Sequence, residues 1–267
     1  STGEFPILQA ALDIAAMARI QTNTAFPNFE AVIEQMNDLS RAAGEWVAVY
    51  DGPPPADEQI NWLREIMQDR GKFVGATQNY DASENADIVS VISNRRGLPV
   101  SLGLLYIHLA RCCGFEIEGL NFPGHFLLRI NSPLGASIFD PFNDARILEP
   151  QDLRTTLKRF PGPAAEMDLS FTRKGRDRDV LIRMQNNLKI RALRESRLED
   201  AVLVLERLLL LEPGNGVFWQ ETGLIHQRLG NLRAAVLAFE NAVETMQEPA
   251  LSIRVQSLLD EVRSQLN

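Results

Sequence analysis

The sequence predicts an α+β fold for the first part of the chain and an all-α fold for the rest. Short apolar runs between residues 115 and 140, separated by proline, glycine and aspartate, predict three strands, whereas the residues before them show helical spacing. From Asp177 onward the apolar residues keep helical spacing and recur after 34 residues, as Ala201 and Ala235 do. Helices with a small sheet, followed by helices alone, are therefore expected.

The N-terminal residues are expected to form helices that pack against the centre of the first domain. Apolar residues at helical spacing predict helices over Phe5–Ile20 and Asn28–Ala43, with Asn28 as the N-cap of the second. Trp46–Tyr50 is strand-like in composition and equally compatible with the end of a helix. Another helix is expected from Asp57, after a run of three prolines. No catalytic groups cluster here, so a structural role is expected.

A polar loop at residues 79–87 is expected to lead into a short apolar helix. Tyr80, Asn85 and Asn94 are candidates to line a cleft, because they flank the helix that approaches the centre of the domain. The alternative is that they form turns and partly buried core, as tyrosine and asparagine in loops commonly do.

The apolar run from Leu102 to Cys113 predicts a helix. Leu98-Pro99 holds its approach extended, because a residue before proline avoids helical backbone angles. Ser101 is a good N-cap residue, and Gly114 suits the left-handed position that follows a helix. The helix is therefore expected to begin at Ser101.

Three strands are predicted after this helix, and a Pro-Gly turn separates the first from the second. They are Phe115–Phe122, His125–Asn131 and 136–139.

A serine at a helix N-terminus, a histidine at a strand start and an aspartate at the end of the next strand can meet at one point. Ser101, His125 and Asp140 are therefore the candidate nucleophile, base and orienting carboxylate. Asp140 would accept from one ring N–H and leave the other nitrogen facing Ser101. Each residue also has a structural alternative: Ser101 as a helix cap, His125 as a lone structural histidine, and Asp140 as a turn residue.

The order and spacing of these three residues resemble the transglutaminase-like (papain-related) core. The sequence around them is similar to that of the bacterial SirB-type branch of the transglutaminase-like superfamily. Members of this branch join a transglutaminase-like N-terminal half to a tetratricopeptide C-terminal half. The resemblance implies a regulatory association in bacteria and no particular substrate. The segments that carry it are Arg95-Arg96-Gly97-Leu98-Pro99-Val100-Ser101, Phe122-Pro123-Gly124-His125-Phe126-Leu127-Leu128-Arg129 and Phe139-Asp140-Pro141-Phe142-Asn143.

The nucleophile position departs from the superfamily. The resemblance implies a cysteine there, and this chain has Ser101. A nearby imidazolium and a helix N-terminus can bring a thiol to thiolate, whereas a hydroxyl needs a base that removes its proton during attack. Cys112 and Cys113 lie about 16 to 18 Å further along the helix and cannot easily replace it. The residues leave open whether the chain is an enzyme.

The second half is expected to begin near Gly175, which gives domains 1–175 and 176–267. Its 34-residue repetition is the tetratricopeptide period. Trp219 and Gly223 resemble the first helix of a repeat, and Pro249–Leu266 would be a helix that caps the stack. The preceding repeat has Gln185 and Lys189 in the places of Trp219 and Gly223. The alternative is a set of amphipathic hairpins without a repeat architecture.

Composition limits the setting and the partners. The net charge of −8 argues against nucleic-acid binding by the whole surface, although residues 154–197 hold 12 Lys and Arg against 5 Asp and Glu. That segment is either a solvated face or a docking patch for an acidic partner or RNA. No apolar run is long enough to span a membrane, and no leader is visible. Two adjacent cysteines offer neither a disulfide framework nor a metal site, so a reducing cytoplasm is expected, with no cofactor and no metal.

Three functional hypotheses follow. The preferred hypothesis is a non-catalytic or degenerate transglutaminase-like protein, a pseudoenzyme, whose tetratricopeptide module binds a protein or peptide partner. The alternative is an acyl-transfer enzyme or an amide or ester hydrolase that uses Ser101, His125 and Asp140. The third is a structural protein that forms a homodimer, which predicts a filled cleft and a large apolar interface.

Overall fold

A computed structural model describes most of the chain. The described residues are 6–22, 29–47, 52–120, 122–159 and 168–266. The predictions for Asn28 and for residues 48–50 lie outside them.

The chain divides into two compact units. Unit 1 comprises Ser1–Arg19 and Thr24–Met184, and unit 2 comprises Ile20–Asn23 and Gln185–Asn267. Unit 1 combines helices with small sheets and the described part of unit 2 is helical, so the predicted α+β and all-α classes are confirmed. The domain boundary near Gly175 stays a prediction.

The helices are numbered along the chain. The third continues directly into one π-helical turn, Glu65–Arg70. They are α1 (Ile7–Thr22), α2 (Phe29–Val47), α3 (Ala56–Arg64), α4 (Ile88–Asn94), α5 (Pro99–Cys112), α6 (Pro150–Arg159), α7 (Asp177–Arg194), α8 (Leu198–Leu211), α9 (Gly216–Arg228), α10 (Leu232–Thr245) and α11 (Pro249–Leu266).

Helix α5 is the centre of unit 1, because it is apolar on every side and almost every residue from Pro99 to Ala110 is buried. Pro99 occupies the first helical position, which tolerates a residue without an N–H, and Leu98 is the extended N-cap. Gly114 has φ +72°, its N–H donates to Arg111, and the next N–H donates to Ala110, as in a Schellman motif. The predicted role of Gly114 is confirmed, whereas the predicted start at Ser101 is wrong by two residues.

Four strands that follow one another in the sequence form the main antiparallel sheet, and each pairs with the next. Two short strands that precede them in the sequence pair with each other in parallel. The strands are β1 (Val74–Gly75), β2 (Arg96–Gly97), β3 (Glu116–Leu120), β4 (Leu127–Ser132), β5 (Gly135–Asp140) and β6 (Arg146–Leu148).

The three predicted strands are present: β3 is shorter than predicted, β4 begins and ends later, and β5 is longer by one residue at each end. Pairing of β3 with β4 stops at Leu120 opposite Leu127, so His125 precedes the strand that it was predicted to start. Strands β1, β2 and β6 were not predicted, because two or three residues are too few for an alternating pattern. The pairing of β1 with β2 joins segments that are far apart in the sequence, whereas β6 pairs with β5 across a short turn.

Unit 2 repeats with the predicted period. Helix α10 begins and ends 34 residues after α8, and Ala201, Leu205, Ala235 and Phe239 are all fully buried. A side chain at Gly223 would overlap the Phe239 ring, at 2.6 Å from Cδ1, so glycine allows α9 and α10 to pack closely. The tetratricopeptide architecture is therefore confirmed over simple hairpins.

The preceding repeat places polar side chains where the later one has Trp219 and Gly223. Gln185 accepts from buried Arg207 at 3.2 Å, and Lys189 pairs with Glu221 and lies 5.4 Å from the centre of the Phe218 ring. A buried cation requires such partners. This polar packing explains why the first repeat is harder to recognise from its sequence.

Across the described ranges, none of the helices combines the length and apolarity needed to cross a membrane.

Candidate functional site

Strand pairing brings His125 and Asp140 together. Leu128 of β4 lies opposite Phe139 of β5, so the beginning of β4 and the end of β5 share one edge of the sheet. His125 lies just before β4 and Asp140 is the last residue of β5. Their meeting follows from antiparallel register and from the lengths of the two strands.

His125 and Asp140 form a buried hydrogen-bonded pair. His125 Nε2 lies 2.8 Å from Asp140 Oδ2, and the two residues are 9% and 6% exposed. Because a carboxylate only accepts, the histidine proton in this bond is on Nε2, and Nδ1 is the other ring nitrogen. This geometry is compatible with the orienting role predicted for Asp140.

The turn after β5 supplies the remaining donors to Asp140. The Phe142 N–H donates to Oδ1 at 2.9 Å, and Asn143 Nδ2 donates to Oδ2 at 2.6 Å. Burial by itself raises the pKa of the Asp140 carboxyl, but the hydrogen bond and charge of His125 and the donors of the turn outweigh it. The pKa of Asp140 therefore lies below its ordinary value.

Backbone strain accompanies this turn. Asp144 and Ala145 follow each other in the left-handed region, with φ of 54° and 49°, and Ala145 is buried. Each such non-glycine residue costs roughly 1 kcal/mol. The packing around the turn maintains this backbone.

Ser101 makes a hydrogen bond to the loop that precedes α5. It is the third residue of α5, it is fully buried, and its hydroxyl donates to the Asn85 carbonyl at 3.3 Å. The N-cap role suggested for Ser101 is wrong, because Leu98 is the N-cap and Pro99 fills the first helical position. A hydroxyl has one proton, and this hydrogen bond directs it to the Asn85 carbonyl.

The three cleft candidates differ in position. Asn85 is buried beside Ser101, and its amide donates to the Asn79 carbonyl at 2.7 Å. Tyr80 is 45% exposed, and its ring lies edge-on to Phe142, with centres 5.9 Å apart. Asn94 is the exposed last residue of α4, and no contact seen among the described residues joins it to the His125–Asp140 pair.

Three residues of this site were not predicted. Asn143 holds the carboxylate, Phe126 packs against α5 at Gly103, and the Arg183 guanidinium lies 5.5 Å from the centre of the Phe126 ring. The Asp-Pro-Phe-Asn sequence was a usable signal for this turn, since an aspartate in a turn commonly accepts from the backbone that follows it, but it did not indicate the side-chain contact of Asn143. Nothing in the local sequence indicates that Arg183 of α7 would reach Phe126.

The cysteines lie at the far end of α5. Burial raises the pKa of the Cys113 thiol to about 12, and its sulfur donates to the Ala43 carbonyl at 3.3 Å. Cys112 is exposed, and its sulfur lies 3.9 Å from His108 Nε2. Neither thiol is placed to act with His125.

Unit 2 contains a second candidate site, an apolar groove of about 550 Å³ that we call the unit 2 groove. Leu210 and Leu237 are 67% and 62% exposed although they face this groove from different helices. Ligand sites commonly have volumes of about 300 to 1,000 Å³ and mainly apolar walls. The groove is lined by Leu209 and Leu210 of α8, Trp219 and His226 of α9, and Leu237 and Ala238 of α10.

Comparisons with known proteins match both units. The profile of the transglutaminase-like superfamily matches residues 30–186, which is more than half of the chain, and the tetratricopeptide repeat profile matches residues 188–267. A UPF0162 protein of Vibrio cholerae is 30% identical over 184 residues, covering 68% of this chain and 67% of that protein.

Two further relatives are similar at lower coverage or identity. A UPF0162 protein of Xylella fastidiosa is 30% identical over 176 residues, and the match covers 65% of this chain. The chain thus spans only 62% of the length of that relative. Protein SirB1 of Salmonella typhimurium is 26% identical over 207 residues, covering 77% of each chain.

Proposed function

This chain belongs to the transglutaminase-like superfamily, and its C-terminal part matches the tetratricopeptide repeat family. We propose that it is a non-catalytic, protein-binding member of the transglutaminase-like superfamily. Unit 2 provides the binding surface in this proposal. Unit 1 is a degenerate relative of the enzymes, in which the histidine and carboxylate remain and the nucleophile is not engaged.

The hydrogen bond of Ser101 supports the non-catalytic half of the proposal. Nucleophilic attack by a serine requires that the hydroxyl proton pass to the base. In this chain that proton is shared with the Asn85 carbonyl at 3.3 Å, and the side chain is fully buried. Ser101 therefore joins the start of α5 to the preceding loop.

The unit 2 groove is the observation that supports the protein-binding part of the proposal. Large leucine side chains that remain about two-thirds exposed beside a concave apolar surface favour a partner that covers them. The occupant that we propose is a peptide segment of another protein, because the groove accommodates a few side chains rather than a folded domain. We place this association in the cytoplasm, since Cys112 and Cys113 are free thiols.

We expect Leu237→Ala to weaken peptide binding about tenfold, because burying a leucine side chain contributes roughly 1.5 to 3 kcal/mol. A phage-displayed library of 12-residue random peptides would be panned against the whole chain, and selected peptides would be measured by fluorescence anisotropy. Ile253→Ala is the matched control, since Ile253 is 71% exposed on α11 and does not line the groove. Failure to select peptides, or equal weakening by both variants, contradicts the proposal.

A second candidate function is acyl transfer or amide or ester hydrolysis, and the intact His125–Asp140 pair favours it. A serine-directed fluorophosphonate separates the two functions. We expect no stoichiometric labelling of the folded protein by intact-mass spectrometry, because Ser101 is buried and donates to Asn85. Labelling that disappears in both Ser101→Ala and His125→Ala would instead establish an assembled triad and end the non-catalytic proposal.

A further inference from the structure

Polar side chains also line the unit 2 groove, and two of them, Glu206 and His226, bear on what the groove can bind. Glu206 is an exposed carboxylate on α8, one helical turn before exposed Leu210, and it lines the groove. Its Oε2 accepts from the Gln21 amide at 3.1 Å, and Gln21 belongs to unit 2. Among the groove-lining residues, Glu206 is the acidic one and neither lysine nor arginine is present.

His226 supplies the second polar group. Burial lowers the pKa of its imidazole, although the nearby Glu206 carboxylate acts in the opposite direction, so the ring is neutral near pH 7. Its Nδ1 atom is buried and has no hydrogen-bond partner among the described residues.

A buried N–H without an acceptor is more costly than the same N–H placed where a partner can reach it. The proton of the neutral ring therefore belongs on Nε2, and His226, which lines the groove, offers that donor. Through Glu206 and His226 the groove thus presents an anionic acceptor and a neutral donor.

We infer that the unit 2 groove recognises a basic-apolar peptide motif, in which an arginine or lysine adjoins bulky apolar side chains. This inference rests on the proposed peptide-binding function. The apolar side chains pack between Leu210 and Leu237, the cation pairs with Glu206, and a main-chain carbonyl of the peptide accepts from His226 Nε2.

The negative charge of the groove and of the chain favours a basic motif over an acidic one. A carboxylate brought into the groove faces Glu206 in a partly apolar setting, where like charges repel more strongly than in water. The chain as a whole carries a net charge of −8, which further attracts a basic segment at low ionic strength. A groove without Glu206 would keep only the weaker preference that the net charge of the chain provides.

The test uses two fluorescein-labelled hexapeptide pools with the whole chain at low salt. Both pools carry two fixed leucines, and one has a fixed arginine where the other has a fixed glutamate. We expect the arginine pool to bind wild type about tenfold more tightly. Glu206→Gln should reduce this preference to about threefold or less, whereas Glu244→Gln, which removes an exposed carboxylate of α10 outside the groove, should leave it unchanged.

His226→Phe is expected to weaken the binding of both pools by a similar factor, about fivefold. The proposed contact of His226 is with the main chain of the peptide and does not depend on the variable side chain. Equal binding of both pools that still depends on Leu237 overturns the basic-apolar inference and leaves peptide binding in place. Preference for the glutamate pool overturns the inference as well. Binding of neither pool overturns both the inference and the proposed function.

Discussion

We expect Asp140→Ala to lower the free energy of unfolding of unit 1 by about 3 kcal/mol, because it leaves His125 buried without its hydrogen-bonding partner. His125, Phe142 and Asn143 all donate to this carboxylate. The substitution leaves these donors unsatisfied in a buried turn. Urea unfolding followed by circular dichroism measures the loss.

Asp144→Asn is the matched control for this substitution. Asp144 is exposed, follows Asp140 by four residues, and has φ +54°, which asparagine tolerates. We expect its effect to remain within about 0.5 kcal/mol. Comparable losses in the Asp140 and Asp144 variants would show that the turn, and not the buried pair, determines stability.

The stabilisation that the Asp140 carboxylate contributes should also depend on pH. The pKa of this carboxyl is lowered in the folded state, so its stabilisation is fully present above its unfolded pKa of about 3.9 and is lost as pH falls through the folded value. The difference in stability between wild type and Asp140→Asn is therefore expected to stay constant from about pH 7 to pH 5 and to narrow below about pH 4. A difference that grows in acid would contradict the sign of the pKa shift.

We expect Gly103→Ala to destabilise unit 1 by about 2 kcal/mol, although alanine is the better helix former. The added Cβ would lie 2.7 Å from Phe126 Cδ1, which is closer than side chains pack. Phe126 is 4% exposed and is also confined by Gly119 and by Arg183. The ring therefore has little room to move, and its displacement would shift the adjacent His125.

Gly44→Ala gives a control of opposite sign in the same unit. Gly44 lies within α2, and a Cβ there would meet no atom within 4 Å. Alanine should therefore stabilise the protein by about 0.5 to 1 kcal/mol through backbone entropy. In a double-mutant cycle with Phe126→Leu, most of the Gly103→Ala penalty should disappear; an unchanged penalty would mean that Phe126 is not its cause.

In our proposal, unit 1 separates two properties that coincide in an active triad. The orienting pair is assembled, with His125 and Asp140 2.8 Å apart, while the hydroxyl of Ser101 is directed to Asn85. In our proposal the pair contributes stability to the turn after β5, which explains how it is retained without catalysis. The stability and labelling experiments test these two parts separately.

Local patterns in the sequence determined the main elements. The apolar run of α5, the strand and turn signals from residue 115 to 140, and the 34-residue spacing of α8 and α10 all depend on residues that are close in sequence or regularly repeated. The order of Ser101, His125 and Asp140 also predicted that a histidine and a carboxylate would meet. Antiparallel strands of those lengths bring the two residues to the same sheet edge.

Only the tertiary structure decided which atoms bind one another. Ser101 meets the Asn85 carbonyl because α5 begins at Pro99, so that a preceding loop faces the buried hydroxyl. The unit 2 groove is likewise formed by side chains from three helices, and no short segment contains its pattern. Hydrogen-bond partners and cavities depend on where distant segments pack to within a few tenths of an ångström, whereas helices and strands follow from local spacing.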